Sequence, residues 1–338
     1  MEIGVHLPYT DYTVHIERGL LARVGEFLPH GRRLLLVTDS GVPAQYAEAV
    51  RAQCENVTVF TFPQGEGSKN MQTYCRILSA LHDGGFDRRD AVVALGGGVT
   101  GDMAGFAAAT YLRGIAFYQI PTTLLSMLDS SVGGKVAVDF GGYKNTVGAF
   151  YQPRGVFADP EVLSTLPARQ VAGGYAEAIK LFAAVDRDLF ARMERGEAEL
   201  TEIIAAGVQK KAYVVEQDEK ESGLRRVLNF GHTVGHAVES AMLETDTPLL
   251  HGECVGLGML CMSRGEARER IRAVLRRYGL PLHATVNRDA FSAALRHDKK
   301  TDGDTLHAVT VDEIGAYAFR DMTAAEITAR AGEVLELR

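Results

Sequence analysis

Apolar and polar positions follow one rhythm in the first half of the chain and another in the second. Residues 2–7 and 12–17 alternate as two short strands would, around a turn at Pro8–Asp11. Residues 20–28 read as helical. RRLLLVTDS (32–40) is a continuous apolar run entering a polar turn, the mark of a strand covered on both faces in a parallel sheet. A helix follows from Pro43, with proline suited to a first-turn position. VTVFTF (57–62) is the next strand and GEGSK (65–69) its loop; an amphipathic helix over 70–84 stops at Gly84–Gly85. DAVVALGGG (90–98) is again a buried strand, ending on three glycines. This alternation predicts an α/β fold with a doubly wound sheet.

From about Ser164 a 3.6-residue period takes over, in segments 168–184, 187–195, 198–216, 230–243, 251–277 and 287–298. Only HAVTVDEIGAYAF, within 306–319, reads as strand there. The expectation is an α/β domain over 1–164 and a mostly α-helical domain over 165–338. No internal repeat or low-complexity linker interrupts either half.

Composition narrows the function. With 46% hydrophobic and 23% charged residues the chain is that of an ordinary globular protein. A net charge of −7 argues against nucleic acid or anionic lipid as partner, so a local basic cluster points to a small anionic ligand. Cys54, Cys75, Cys254 and Cys261 show no CxxC spacing and read as free thiols of a reducing cytoplasm. No signal segment and no membrane-length apolar run is expected.

Four segments could carry chemistry. ALGGGVTGDMAGF (94–106) puts glycines between a buried strand and a helix start, where a phosphate can approach the backbone. It is neither GxGxxG nor a Walker motif, and on pattern alone a plain tight turn is as good a reading. Asp39 at a strand end could accept a ribose hydroxyl, with Glu66 and Lys69 in the next loop. The segment 112–150 gathers Arg113, Asp129, Lys135, Lys144 and Asn145 among many glycines. Any single lysine there reads as solvated surface; the density of the whole set favours an anion. In GGYAEAIK (173–180), Glu177 and Lys180 share a helix face, which alone means only an ion pair. In GLRRVLNFGHTVGHAVE and LLHGECVG, His232 and His236 share a face and His251 opens the next helix. Two histidines and a carboxylate suit Zn²⁺ with an open position. The spacing leaves open which two histidines bind.

In this order GGGVTGDMAGF, PTTLLSMLDSSVGGK, KNTVGAF, GYAEAIK, GLRRVLNFGHTVGHAVE, HGECVG and HDKK resemble the 3-dehydroquinate synthases, within the sugar phosphate cyclases. The resemblance runs through most of the chain and implies a Rossmann-like NAD-binding domain followed by a helical one. It implies metal ligands Glu177, His232 and His251, for Zn²⁺ or Co²⁺, with His236 on the substrate side. Asp129, Lys135, Lys180, Lys211, Arg225 and Asn229 would join His236 in catalysis, and Asn145 and Lys300 would bind substrate. Arg113 would reach a phosphate in the neighbouring subunit of a homodimer. Asp39, Glu66, Lys69, Gly97, Gly98, Asp102, Thr122, Thr123 and Lys144 would hold NAD⁺. The implied reaction turns 3-deoxy-D-arabino-heptulosonate 7-phosphate, a sugar-acid phosphate, into 3-dehydroquinate and phosphate. Two departures stand out: Asp39-Ser40-Gly41 lacks an expected ribose-side amide, and the connection before HGECVG is longer than usual.

Overall fold

In the computed structural model, described for every residue except Ser222, Glu244, 298–300 and 303–304, the chain divides into two compact units. The first comprises Met1–Leu166 and Ile204–Glu216; the second comprises Pro167–Ile203 and Gln217–Arg338.

The first unit is built on β1 (Glu2–Leu7), β2 (Thr10–Ile16), β3 (Arg33–Asp39), α1 (Ala44–Arg51), β4 (Asn56–Phe62), α2 (Met71–Asp83), β5 (Ala91–Gly96), α3 (Gly98–Thr110), β6 (Ala116–Pro121), β7 (Lys135–Phe140), β8 (Tyr143–Phe150) and β9 (Gly155–Ala158). Seven strands form one sheet in the order β1-β2-β9-β6-β5-β3-β4. The hairpin β1–β2 is antiparallel; every other pairing in it is parallel. The apolar runs account for this. Leu34 to Val37 and Ala91 to Leu95 are all buried, as strands must be when both faces are covered. Leu35, Val37, Val92 and Ala94 pack with Met103, Ala107 and Phe117. The chain goes from β3 outward to β4, then returns to β5 on the other side of β3. The sheet therefore has its switch point between β3 and β5, where open α/β sheets bind ligands at the carboxyl ends of their strands.

Three details differ from the sequence pattern. Residues 20–27 form a 3-10 segment kinked at Arg23, not an α-helix. Residues 135–150 form the separate hairpin β7–β8. Residues Leu200–Gln217 form one helix, α6, of which 204–216 belong to the first unit.

The second unit contains α4 (Ala168–Val185), α5 (Arg187–Arg195), α7 (His232–Met242), α8 (His251–Cys261), α9 (Gly265–Arg277), β10 (Thr285–Val286), α10 (Arg288–His297), β11 (Thr301–Asp302), β12 (Thr305–Glu313), β13 (Ala316–Thr323), α11 (Ala324–Ala331) and β14 (Glu336–Leu337). The period over 251–277 conceals two helices. The chain breaks at Ser263, which bridges to Val311, and restarts at Gly265 (φ +53). Among the described residues no helix is long and apolar enough to cross a membrane.

Candidate active site

Backbone contact brings three helices of the second unit together. A Cβ on Gly258 would lie 1.9 Å from the carbonyl oxygen of Gly231, and one on Gly252 would lie 2.2 Å from that of Gly173. No other residue fits at either crossing, so α8 lies directly against α4 and against the start of α7. Glu177 from α4 and the first residues of α7 and α8, His232 and His251, then converge. Glu177 Oε1 is 3.8 Å from His232 Nε2 and 3.5 Å from His251 Nε2. Ligand atoms about 2.0–2.1 Å from a tetrahedral Zn²⁺ lie roughly 3.4 Å apart, so these side chains fit such an ion.

The electrostatics agree with that fit. Glu177 is buried, and neither carboxylate oxygen accepts a hydrogen bond of ordinary geometry. Lys180 Nζ lies 2.5 Å from Oε2 as an ion-pair partner, itself buried. Burial pushes the Glu177 carboxyl up, but Lys180, His232 and His251 together hold it well below the usual carboxylate range. Burial and the Lys180 charge keep His232 well below the ordinary imidazole value, hence neutral. Burial also opposes charge on His251, yet the Glu177 and Glu239 carboxylates beside it raise that group to about 10. A cation between Glu177 and His251 would take the place of that proton.

The outer nitrogens are held as well. His251 Nδ1 is 3.1 Å from Glu239 Oε2, and His232 Nδ1 faces the carbonyl oxygen of Phe230 at 3.4 Å. Such partners fix ring orientation and leave Nε2 toward the shared carboxylate. Glu239 was missed in the sequence reading, although it follows His232 and His236 at the i+7 and i+3 positions of the same helix face. His236 is also near. A ring nitrogen from each of His232, His236 and His251 lies within 4.8 Å of the others.

Arg225 and Asn229 sit on the 3-10 segment just before α7. Arg225 is buried; its backbone N–H donates to Asp218 Oδ2 at 3.0 Å and its Nη1 donates to the Glu219 carbonyl at 2.5 Å. Asn229 Nδ2 donates to Glu221 Oε1 at 2.5 Å. Lys300 lies outside the described residues.

In the first unit, a polar set surrounds the switch point. Asp39 ends β3, and its carboxylate accepts from Gly41 N–H at 2.9 Å and from the Thr100 hydroxyl at 2.7 Å. Thr100, inside α3 and fully buried, thus ties the β3 end to the glycine-led helix; the sequence reading passed over it within GGGVTGD. Gly97 caps α3 and Gly98 opens it. Thr122 N–H donates to Gly96 O at 2.9 Å, and the Thr123 and Ser126 hydroxyls pair at 2.8 Å, bringing the β6 end beside the β5 end.

Lys69 is buried, with its ammonium 2.5 Å from Asp102 Oδ2 and 2.5 Å from Asn145 Oδ1. Burial raises the Asp102 carboxyl to about 6 against the pull of Lys69. Asn145 has a left-handed backbone (φ 53), held by Asp139 Oδ1, which accepts its N–H at 2.8 Å. Lys144 approaches Glu66 at 3.9 Å. The buried Lys211 of α6 donates to the Asp129 carbonyl at 2.5 Å and to its carboxylate at 2.6 Å. Lys135 is exposed at the start of β7, and Arg113 follows Leu112 in a left-handed pair (φ 70 and 51).

Models of the 3-dehydroquinate synthase N-terminal and C-terminal regions match residues 59–173 and 174–301. The 3-dehydroquinate synthase of Latilactobacillus sakei subsp. sakei (strain 23K) is 41% identical over 332 residues, covering 93% of each chain. Among solved structures, 2-deoxy-scyllo-inosose synthase with carbaglucose-6-phosphate, NAD⁺ and Co²⁺ superposes with a TM-score of 0.89 at 27% identity, over 99% of this chain and 100% of that one. The 2-epi-5-epi-valiolone synthase of Streptomyces hygroscopicus subsp. jinggangensis 5008, with NAD⁺ and Zn²⁺ bound, gives 0.86 at 30% identity, over 97% and 98%. With both regional models matched end to end and a relative this similar over nearly its whole length, the chain belongs to the 3-dehydroquinate synthase family.

Proposed function

We propose that the protein is a 3-dehydroquinate synthase, a lyase that releases phosphate from 3-deoxy-D-arabino-heptulosonate 7-phosphate and closes the carbocycle for aromatic amino acid biosynthesis. Family membership supports the reaction class. The observation that carries the chemistry is the buried Glu177 carboxylate, whose one oxygen faces both His232 and His251. These three residues hold Zn²⁺ or Co²⁺, and Asp39, Glu66, Lys69, Gly97, Gly98, Asp102, Thr122, Thr123 and Lys144 hold NAD⁺. When bound, the metal supplies Lewis acidity toward a substrate oxygen and NAD⁺ a hydride acceptor that returns its hydride within one turnover.

The chain's own residues position and protect. Lys180 compensates the buried Glu177 charge and keeps the carboxylate ionised for its ligand role. His236, beside the ligand pair, serves the substrate side. Arg225, Lys211, Asn229 and Lys300 take the substrate's anionic groups, with guanidinium geometry fixing a carboxylate in two bonds. Asp129, Lys135, Asn145 and Arg113 complete substrate binding. Asp39 and Glu66 disfavour a 2′-phosphate, which selects NAD⁺ over NADP⁺. We place the enzyme in the cytoplasm as a homodimer without nucleic acid or membrane partners; the free cysteines, the negative net charge and the family resemblance support this.

The test is phosphate release from the heptulosonate phosphate against sedoheptulose 7-phosphate, with NAD⁺ and Zn²⁺ present. Preference for the first without NADH accumulation is expected. Equal rates on both would point to another sugar phosphate cyclase. NADH rising in step with product would point to a polyol dehydrogenase.

A further inference from the structure

Arg169, Gly173 and Glu177 follow one another at four-residue steps along one face of α4, and each meets a different residue in the first turn of α8. Glu177 Oε1 faces His251 Nε2 at 3.5 Å, and the Gly173 carbonyl oxygen lies 2.2 Å from where a Cβ on Gly252 would stand. Arg169 meets Glu253: its Nε donates to Oε1 and its Nη2 to Oε2, both at 2.7 Å. Over the consecutive residues 251, 252 and 253 the contacts are therefore carboxylate on histidine, backbone on backbone, and guanidinium fork on carboxylate. The first belongs to the candidate metal site and the second to the glycine crossing. The third belongs to neither.

Glu253 is only 7% exposed, and its carboxylate does more than pair with Arg169. Oε2 also accepts the Leu250 N–H at 2.7 Å, the reach of a third helical residue back to the N-cap. Arg169 Nη2 makes a further bond, to the Pro248 carbonyl at 2.9 Å, in the connection between α7 and α8. Pro248 and Leu250 precede His251 and Glu253 follows it, and all three are tied to one guanidinium, directly or through Glu253. A main-chain crossing sets how close two helices come, but it leaves them free to turn about the point of contact. Two parallel bonds between planar groups remove that freedom, because both are lost when either helix turns. The Arg169 side chain is half-exposed, so the pair adds little to overall stability. Its consequence is directional.

We propose that Arg169 and Glu253 are positioning residues for His251, holding the first turn of α8 in the rotation that aims Nε2 at Glu177. Glu239 fixes the imidazole ring, and the Arg169–Glu253 pair fixes the backbone that carries it. The inference rests on the reading of Glu177, His232 and His251 as metal ligands.

The test compares wild type with Arg169→Met and Arg270→Met in three measurements: Zn²⁺ affinity by competition with a chelator, the visible bands of the Co²⁺-saturated protein, and the Tm of the metal-free protein. Arg270→Met is the control, since it removes a similar fork pair with Glu194 between α9 and α5, neither of which carries a proposed ligand. Arg169→Met is expected to weaken Zn²⁺ binding about tenfold or more and to shift the Co²⁺ bands, which report the angles between ligands. Arg270→Met should leave affinity within about twofold of wild type and the bands in place, whatever its Tm. Arg169→Lys keeps the charge but not the fork, and should shift the bands with a smaller loss of affinity. Should Arg169→Met fold poorly, the lysine variant decides alone, and wild-type bands with wild-type affinity overturn the proposal. Unchanged Zn²⁺ affinity in Arg169→Met overturns it as well. So does an equal loss in Arg270→Met, which would make the effect one of general stability. Glu177→Gln in the same titration separates the two readings. If that variant keeps wild-type metal binding, the ligand assignment itself fails; if it loses metal while Arg169→Met does not, only the positioning role fails.

Discussion

The two units prepare their polar groups in opposite ways. In the first, the groups around the switch point satisfy one another. Asp39 is held by Gly41 and Thr100, and Lys69 bridges Asp102 and Asn145. In the second, Glu177 is buried with both oxygens lacking ordinary hydrogen bonds, and two imidazoles point at one of them. A set that is complete by itself can open to a cofactor at modest cost. Glu177, His232 and His251 converge on one point, an arrangement whose donor set suits a cation. Substitutions at the Glu177 cluster should therefore remove chemistry, and those in the Asp39 set should weaken cofactor binding.

The largest effect should come from Glu177→Gln, which keeps the shape and removes the charge. It should lose bound metal and lower phosphate-release kcat at least about a thousandfold, a barrier increase of roughly 4 kcal/mol. Metal content measured beside kcat checks this, and a variant that kept both would end the contrast between the units.

Arg225→Ala comes next. If the guanidinium holds the substrate carboxylate, about 2–5 kcal/mol of transition-state binding is lost for the acidic substrate and far less for a decarboxylated analogue. The bond from Nη1 to the Glu219 carbonyl gives the rival reading of a structural tether. Equal losses on both substrates with a large fall in Tm would favour the tether.

Glu239→Gln should be milder, weakening metal affinity about 10–100-fold through His251 while the metal-free protein keeps its Tm. Competition with a chelator measures it. The smallest effect belongs to the first unit. Thr100→Val removes one donor to Asp39 and should raise the NAD⁺ Kd about tenfold, near 1.5 kcal/mol for a hydrogen bond to a charged group, with kcat at saturating NAD⁺ within about twofold. Thr100→Ser should restore affinity. A fall in kcat instead would erase the distinction between the units.

Much of the α/β layering was legible because a strand buried on both faces writes itself as a continuous apolar run, as in 90–98. The hairpin over 135–150 was not, since most of β8 is exposed and carries no apolar alternation. The break between α8 and α9 was hidden because apolar spacing continues through Met262, while the chain leaves the helix where Ser263 pairs with Val311, Arg264 is extended and Gly265 takes a positive φ. Histidine spacing pointed to a metal, but i,i+4 places His232 and His236 on one face and cannot rank them. Glu177, which faces both His232 and His251, lies more than fifty residues earlier in the chain, beyond the reach of any local spacing. No local pattern reports the return of residues 204–216 to the first unit, because it is a property of tertiary contact.

The crossings at Gly258 and Gly252 carry a consequence for how the ligand set tolerates change. Where side chains separate two helices, a substitution shifts a spacer and neighbours can repack around it. Here the spacing is set by main-chain atoms in contact, and there is no spacer to adjust. Drift elsewhere in the interior is thereby kept from the spacing of Glu177, His232 and His251, while a single methyl at position 252 or 258 would prise the helices apart and shift these three proposed ligands without touching one. These glycines act as the gauge blocks of the site, and their loss should resemble the loss of a ligand.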